Sequence, residues 1–194
     1  MRCLTSKETE SLYLNMGFKA ATNQSWYGRS LMLTEEIASR QMRIGGTPTV
    51  IAPRLGYFAE SLNRWLPTNC GRLLWISHFS TDFLSSSDFV MAARIGLGET
   101  RSLADAPGHQ FDSFDYNERD QSNIPLEQIR QIGILAALVC HVIIDGWDAW
   151  LISDNSADRI EFWEGNIFFY SIDSLRLREA EALLAEFGCS RDLS

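Results

Sequence analysis

The chain predicts an α+β fold in which helices pack on a largely antiparallel sheet of about five or six strands. Three observations carry this expectation. Residues Asp148–Ile172 hold three short alternating apolar runs separated by turn residues, the pattern of a three-strand meander. Stretches near residues 6–16, 54–66 and 174–187 space their apolar side chains at helical intervals. The run Ile132–Ile144 is thirteen residues of almost unbroken hydrophobicity, short of the ~20 that cross a bilayer, so it reads as a core helix in a soluble protein. With 194 residues and a 45% hydrophobic fraction, one domain spanning 1–194 can bury a full core.

The elements follow in order. Thr5 and Glu8 have the spacing of a capping box, and a first helix over Ser6–Met16 stops at Gly17. Gly28–Thr34 reads as a strand, and the stretch with Gly45, Gly46, Pro48 and Pro53 as irregular. Arg54–Leu66 sets Leu55, Phe58, Leu62, Trp65 and Leu66 on one side of a helix closed by Pro67. Arg72–Phe79 is a central strand, apolar on both faces. Ser87 is placed to cap a helix ending at Gly96. Gly98–Asn123 is polar and reads as a long exposed loop, or a ragged hairpin around Gln110–Phe114. Pro125 opens the long helix and Gly146 ends it. In the meander, Gly165-Asn166 is the expected two-residue turn, with Ile160 and Phe162 on one face and Arg159, Glu161 and Trp163 on the other. Asp173 or Ser174 caps the last helix and Gly188 closes it.

Charge is unevenly distributed. Residues 1–100 carry 10 Lys+Arg against 8 Asp+Glu, a net of +2, whereas residues 101–194 carry 7 against 17, a net of −10. Of the basic residues 15 are Arg and 2 are Lys, which favours fixed, planar ion pairs with carboxylates. The whole-chain charge of −8 argues against nucleic acid as a partner, because phosphate contacts supply most of that affinity. The four cysteines lie far apart with no C-x-x-C pair, which excludes a zinc ribbon and a secreted disulfide framework and suits a reduced cytoplasmic chain. MRCLTSKETE contains no apolar core of a signal peptide. No membrane association and no cofactor are expected.

Catalytic patterns are sparse. His109, Asp112 and Asp115 have H-x-x-D-x-x-D spacing, with Glu118 and Asp120 behind them. Imidazole and carboxylates so placed suit a divalent ion and metal-assisted hydrolysis, or simply a solvated acidic loop. His141 and Asp145 are one helical turn apart, the spacing of a structural histidine–carboxylate contact. Ser77-His78 on a strand points its two side chains to opposite faces, and RIGGT and RIGLGET lack the lysine of a P-loop and the third glycine of a dinucleotide fingerprint. Both read as turns.

RSLADAPGHQF (Arg101–Phe111) and GWDAWLIS (Gly146–Ser153) resemble an uncharacterised group of small bacterial proteins that share an R-x-L-x-x-A-P-G-H-x-F stretch and a W-D pair. The resemblance covers about the last half of the chain and implies no activity. In character, a small acidic α/β protein of this kind is similar to the immunity proteins that neutralise bacterial toxins. The expected function is therefore a non-catalytic acidic binding protein that docks a basic protein partner, using Asp112, Asp115, Glu118, Asp120, Glu161, Trp163 and Glu164. Two alternatives stand beside it: a small metal-dependent hydrolase built around His109, and a structural or oligomeric subunit, including a homodimer drawn together by the charge split.

Overall fold

The computed structural model describes residues 1–15, 18–20, 31–33, 42–49, 52–66, 71–78, 90–92, 94–96, 98–112, 125–153 and 157–191. In chain order the elements are β1 (Arg2–Leu4), α1 (Ser6–Asn15), β2 (Phe18–Ala20), β3 (Leu31–Leu33), β4 (Met42–Thr47), α2 (Ala52–Trp65), β5 (Arg72–His78), β6 (Gly108–Phe111), α3 (Leu126–Asp145), β7 (Asp148–Ser153), β8 (Arg159–Trp163), β9 (Asn166–Ser171), α4 (Ser174–Glu186) and β10 (Ser190–Arg191). Residues 90–92 and 94–95 are also helical. Eight strands form one antiparallel sheet in the order β1-β6-β5-β7-β8-β9-β4-β10, and β2 and β3 form a separate antiparallel pair. The fold is α+β and the C-terminal meander β7-β8-β9 is present.

The helices begin and end where side-chain chemistry dictates. At α1 the Glu8 amide donates to Thr5 Oγ1 at 3.2 Å while Glu8 Oε2 accepts from the Thr5 amide at 2.8 Å, a reciprocal capping box. Asp173 caps α4, accepting from the Leu175 amide at 2.8 Å. Gly146 ends α3 with φ 64°, a left-handed conformation that costs glycine little. On α2 and the Leu66 that follows it, the five apolar residues expected on one side are all buried, with Phe58, Leu62 and Leu66 at 0% exposure. Each such side chain stabilises the fold by ~1.5–3 kcal/mol.

The main core lies between one face of the sheet and α2, α3 and α4, with Leu74, Leu151, Ile160 and Phe169 meeting Leu62, Leu135, Val139 and Leu184. The opposite face carries a smaller cluster of Leu4, Tyr13, Leu73, Trp75, Trp150 and Ile152. There Tyr13 of α1 stacks on Trp75 at 5.3 Å.

Four expectations are corrected. RIGGT is not a turn but most of β4. Gly45 lies opposite Phe168, whose ring would sit 2.3 Å from any Cβ at that position, so the glycine makes room for an aromatic crossing the strand. The stretch from Gly98 is not an exposed loop throughout, because Gly108–Phe111 forms β6 between β1 and β5. The sheet accordingly has eight strands rather than five or six. Finally, the β8–β9 turn is Glu164-Gly165, one residue earlier than Gly165-Asn166, since Trp163 pairs with Asn166. Both turn residues have positive φ, 48° and 77°, as a type I′ hairpin requires. The Ser87 cap, most of Gly28–Thr34 and residues 113–123 lie outside the described residues.

Candidate binding surface

The stretches Arg101–Phe111 and Gly146–Ser153 are structural. Arg101 donates to the Cys3 carbonyl at 2.9 Å and forms a 2.7 Å ion pair with Glu99. The Arg101 side-chain and amide bonds to its carboxylate hold the Glu99 pKa down to about 2, against burial. Leu103 and Ala106 are buried, Gly108 packs where a Cβ would meet Thr9 Oγ1 at 2.1 Å, and Phe111 is 1% exposed. Trp147 is core, and Asp148 accepts from the Glu164 amide at 3.1 Å through Oδ1. The R-x-L-x-x-A-P-G-H-x-F and W-D stretches thus weld a strand into the sheet and fasten a hairpin.

His109 belongs to the same interior. It is 0% exposed, faces the main core beside Leu74 in β5, and is not part of an open acidic loop. Burial, then the Arg94 guanidinium, pushes its pKa down to about 3, against the backbone carbonyls of Leu74 and Pro107. Arg94 is itself fully buried and donates to the carbonyls of Arg101 and Ser102 at 3.2 and 3.3 Å. An imidazole in this position is a core residue held neutral. Among the described residues, no group of three His, Cys, Asp or Glu is placed to hold a metal ion. His141 Nδ1 lies 3.5 Å from Asp145 Oδ2 on α3, the contact their spacing predicts.

The seven expected binding residues separate into groups. Asp112 is exposed just after β6 but tied to α3. Its amide donates to Gln131 Oε1 at 3.0 Å and its Oδ2 accepts from Gln131 Nε2 at 2.7 Å. Asp115, Glu118 and Asp120 lie outside the described residues. Glu161, Trp163 and Glu164 come together on the β8–β9 hairpin, as alternation requires. Register places the two described groups at opposite ends of the sheet. Phe111 aligns with Arg72 and Ser153, whereas Trp163 pairs beside the Glu164-Gly165 turn that Asp148 fastens. Five residue rises along β7 separate the ends by ~17 Å. Asp112 and the hairpin are therefore not one patch.

Within the hairpin the carboxylates differ. Glu161 is half-buried and accepts a short hydrogen bond from the Tyr170 hydroxyl, so it is not the free surface charge expected. Its burial raises its pKa, opposed by the Tyr170 bond and by Arg159. Tyr170 is pushed up to about 12 by burial and by Glu161. Arg159, 5% exposed, lies 4.1 Å from the Tyr170 ring centroid and 5.2 Å from that of Trp150. Arg43 stacks on Phe168 at 4.8 Å. Sequence inspection missed this layer of guanidinium on aromatics. The signal was the alternation Arg159-Glu161 across from Phe168-Tyr170, which becomes informative once register is known. Beyond the layer, Trp163 is 40% exposed and Glu164 is exposed.

The chain matches no family model, and no curated protein or solved structure matches it.

Proposed function

We propose that the protein is a non-catalytic acidic binding protein that docks a basic protein partner in the cytoplasm, with neutralisation of a toxin as the concrete form. The observation that supports it most is the β8–β9 tip. Trp163, 40% exposed, and the exposed Glu164 lie together on a hairpin whose turn is fastened to Asp148, within a half-chain of net charge −10. A fixed, exposed tryptophan beside a carboxylate is what interface centres use, because little side-chain entropy is lost on contact and surrounding negative charge steers a cation in. The layer beneath, a buried Arg159 with half-buried Tyr170 and Glu161, stiffens the platform. On this reading the partner is held by Trp163, its basic groups meet Glu164 and the acidic surroundings, and its own site is covered.

The test is the association rate with the basic protein recovered from the native source. The rate should fall as salt is added and fall again in Glu164→Arg, while Trp163→Ala should mainly speed dissociation. Kinetics indifferent to salt and to both substitutions would end the proposal.

A further inference from the structure

The face of the sheet that carries Trp150 repeats one arrangement. Arg159 lies over the rings of Tyr170 and Trp150 and acts electrostatically on the Glu161 carboxylate. Arg43 lies over the ring of Phe168 and acts on the same carboxylate. Each time a guanidinium sits on an aromatic ring with a carboxylate in reach, which satisfies its π face and its charge together. Trp163 has the ring and the carboxylate without the guanidinium. Ala149 pairs with Phe162 and Trp150 with Glu161, so alternation sets Asp148 beside Trp163 on this same face, their Cβ atoms ~5 Å apart. The Glu164 amide, donating to Asp148 Oδ1 at 3.1 Å, holds that carboxylate in place.

What this corner lacks is a cation. Asp148 is 8% exposed, yet among the described residues neither it nor Glu164 has an ion pair. The Trp163 side chain takes no hydrogen bond or ring contact among them either. A carboxylate so nearly buried is costly without a counter-charge, and an open indole beside it offers a surface on which one can rest. We propose that Trp163 and Asp148 form a subsite for an arginine side chain of the basic partner, its guanidinium stacked on the indole and donating to the Asp148 carboxylate. This rests on the docking reading above and narrows it to one recognised group.

Arginine suits the corner better than lysine for two reasons. A planar guanidinium lying on the indole keeps its edge N–H groups free, and those point sideways toward a carboxylate on the neighbouring strand. Asp148 has accepted one amide bond, and an ionised carboxylate has further acceptor sites for such a donor. A lysine ammonium is a compact, strongly hydrated point charge, so it surrenders more water to reach a ring and cannot stack on it. Glu164 has a different part. It is exposed at the turn, so it attracts either cation alike and contributes steering rather than choice.

Hexa-arginine and hexalysine, both capped at their ends, carry equal charge and decide the matter when titrated into the full chain. Affinities are read by calorimetry and contact by the NMR signal of the Trp163 indole N–H, assigned as the one missing from Trp163→Leu. Hexa-arginine should shift that signal and bind about fivefold or more tightly than hexalysine. Asp148→Asn keeps the oxygen that accepts from the Glu164 amide, so the turn stays fastened while the preference for hexa-arginine disappears. Trp163→Leu, a change at a half-open surface site, should abolish the preference too, and it decides the question by itself if Asp148→Asn does not fold. Glu164→Gln should weaken both peptides by the same factor and leave their ratio unchanged. Equal wild-type affinities, an unmoved Trp163 signal, or a preference that survives Trp163→Leu would overturn the subsite. Such a result, with salt-dependent association to the native partner intact, removes the arginine reading and leaves the docking reading standing.

Discussion

His109 shows how a single residue changes meaning once its neighbours are known. In the sequence it stands among carboxylates. In the fold it faces Leu74 and Arg94, and burial pushes its pKa down to about 3. A histidine whose folded pKa is depressed binds fewer protons in the folded state than in the unfolded one. Its neutral form costs no proton above the unfolded value of about 6.5, and stability is lost progressively as pH falls from there toward about 3. Urea denaturation should therefore show the midpoint falling between about pH 6.5 and pH 4.5, before ordinary carboxylates titrate. His109→Leu should flatten the curve in that window, and an unchanged slope would remove the imidazole as the cause. Glu8 and Glu99, both held down to about 2 by hydrogen bonds, act in a lower window. Their contribution is present above about 4.5 and is lost as pH falls toward 2.

Among the elements, the β8–β9 hairpin carries a strained residue at its most exposed point. Glu164 has φ 48°, a left-handed conformation that disfavours residues other than glycine, asparagine and aspartate. Glu164→Asn creates the favoured Asn-Gly pair of a type I′ turn and should stabilise the protein by about 1 kcal/mol, read as a higher thermal midpoint. A lower midpoint would mean that the glutamate side chain is held by contacts worth more than the strain. Because this variant also removes a charge, it offers a folded background in which to measure slower association with a basic partner. The one-residue shift of the turn from Gly165-Asn166 has a simple origin. A glycine and an asparagine are both good turn residues, and the choice between registers is made by whether Trp163 or Glu164 can pair across the ladder.

For the whole molecule, charge is the governing quantity. The described ion pairs are largely local: Arg2 with Glu8, Arg64 with Glu60, Arg101 with Glu99 and Arg176 with Asp158. They neutralise neighbours and leave the imbalance of the C-terminal half in place. Like charges that close repel, and added salt screens them over a Debye length of ~8–10 Å. The thermal midpoint at neutral pH should therefore rise with sodium chloride from low to physiological strength, and a falling midpoint would show that the pairs outweigh the repulsion. Other arginines of the first half find carbonyls and rings. Arg72 donates to the Asn63 carbonyl at 3.2 Å, and Arg54 donates to that of Glu186 at 3.1 Å and stacks on Phe187.

The sequence by itself determined the α+β class, the meander, the capping box at Thr5 and Glu8, and the apolar side of α2, because each depends on side-chain periodicity or on a cap a few residues away. It could not show that Gly45 belongs in a strand, that His109 is core, or that Glu161 is taken up by Tyr170. Those outcomes depend on strands brought together from distant parts of the chain, where a neighbour's ring or carbonyl settles whether a polar group meets water. Only the tertiary structure could separate Asp112 from the hairpin, since sheet order sets which carboxylates share a surface. Only it could show that Leu126, Ile129 and Ile144 of α3 are exposed, because an apolar run looks the same in sequence whether one side or both are covered.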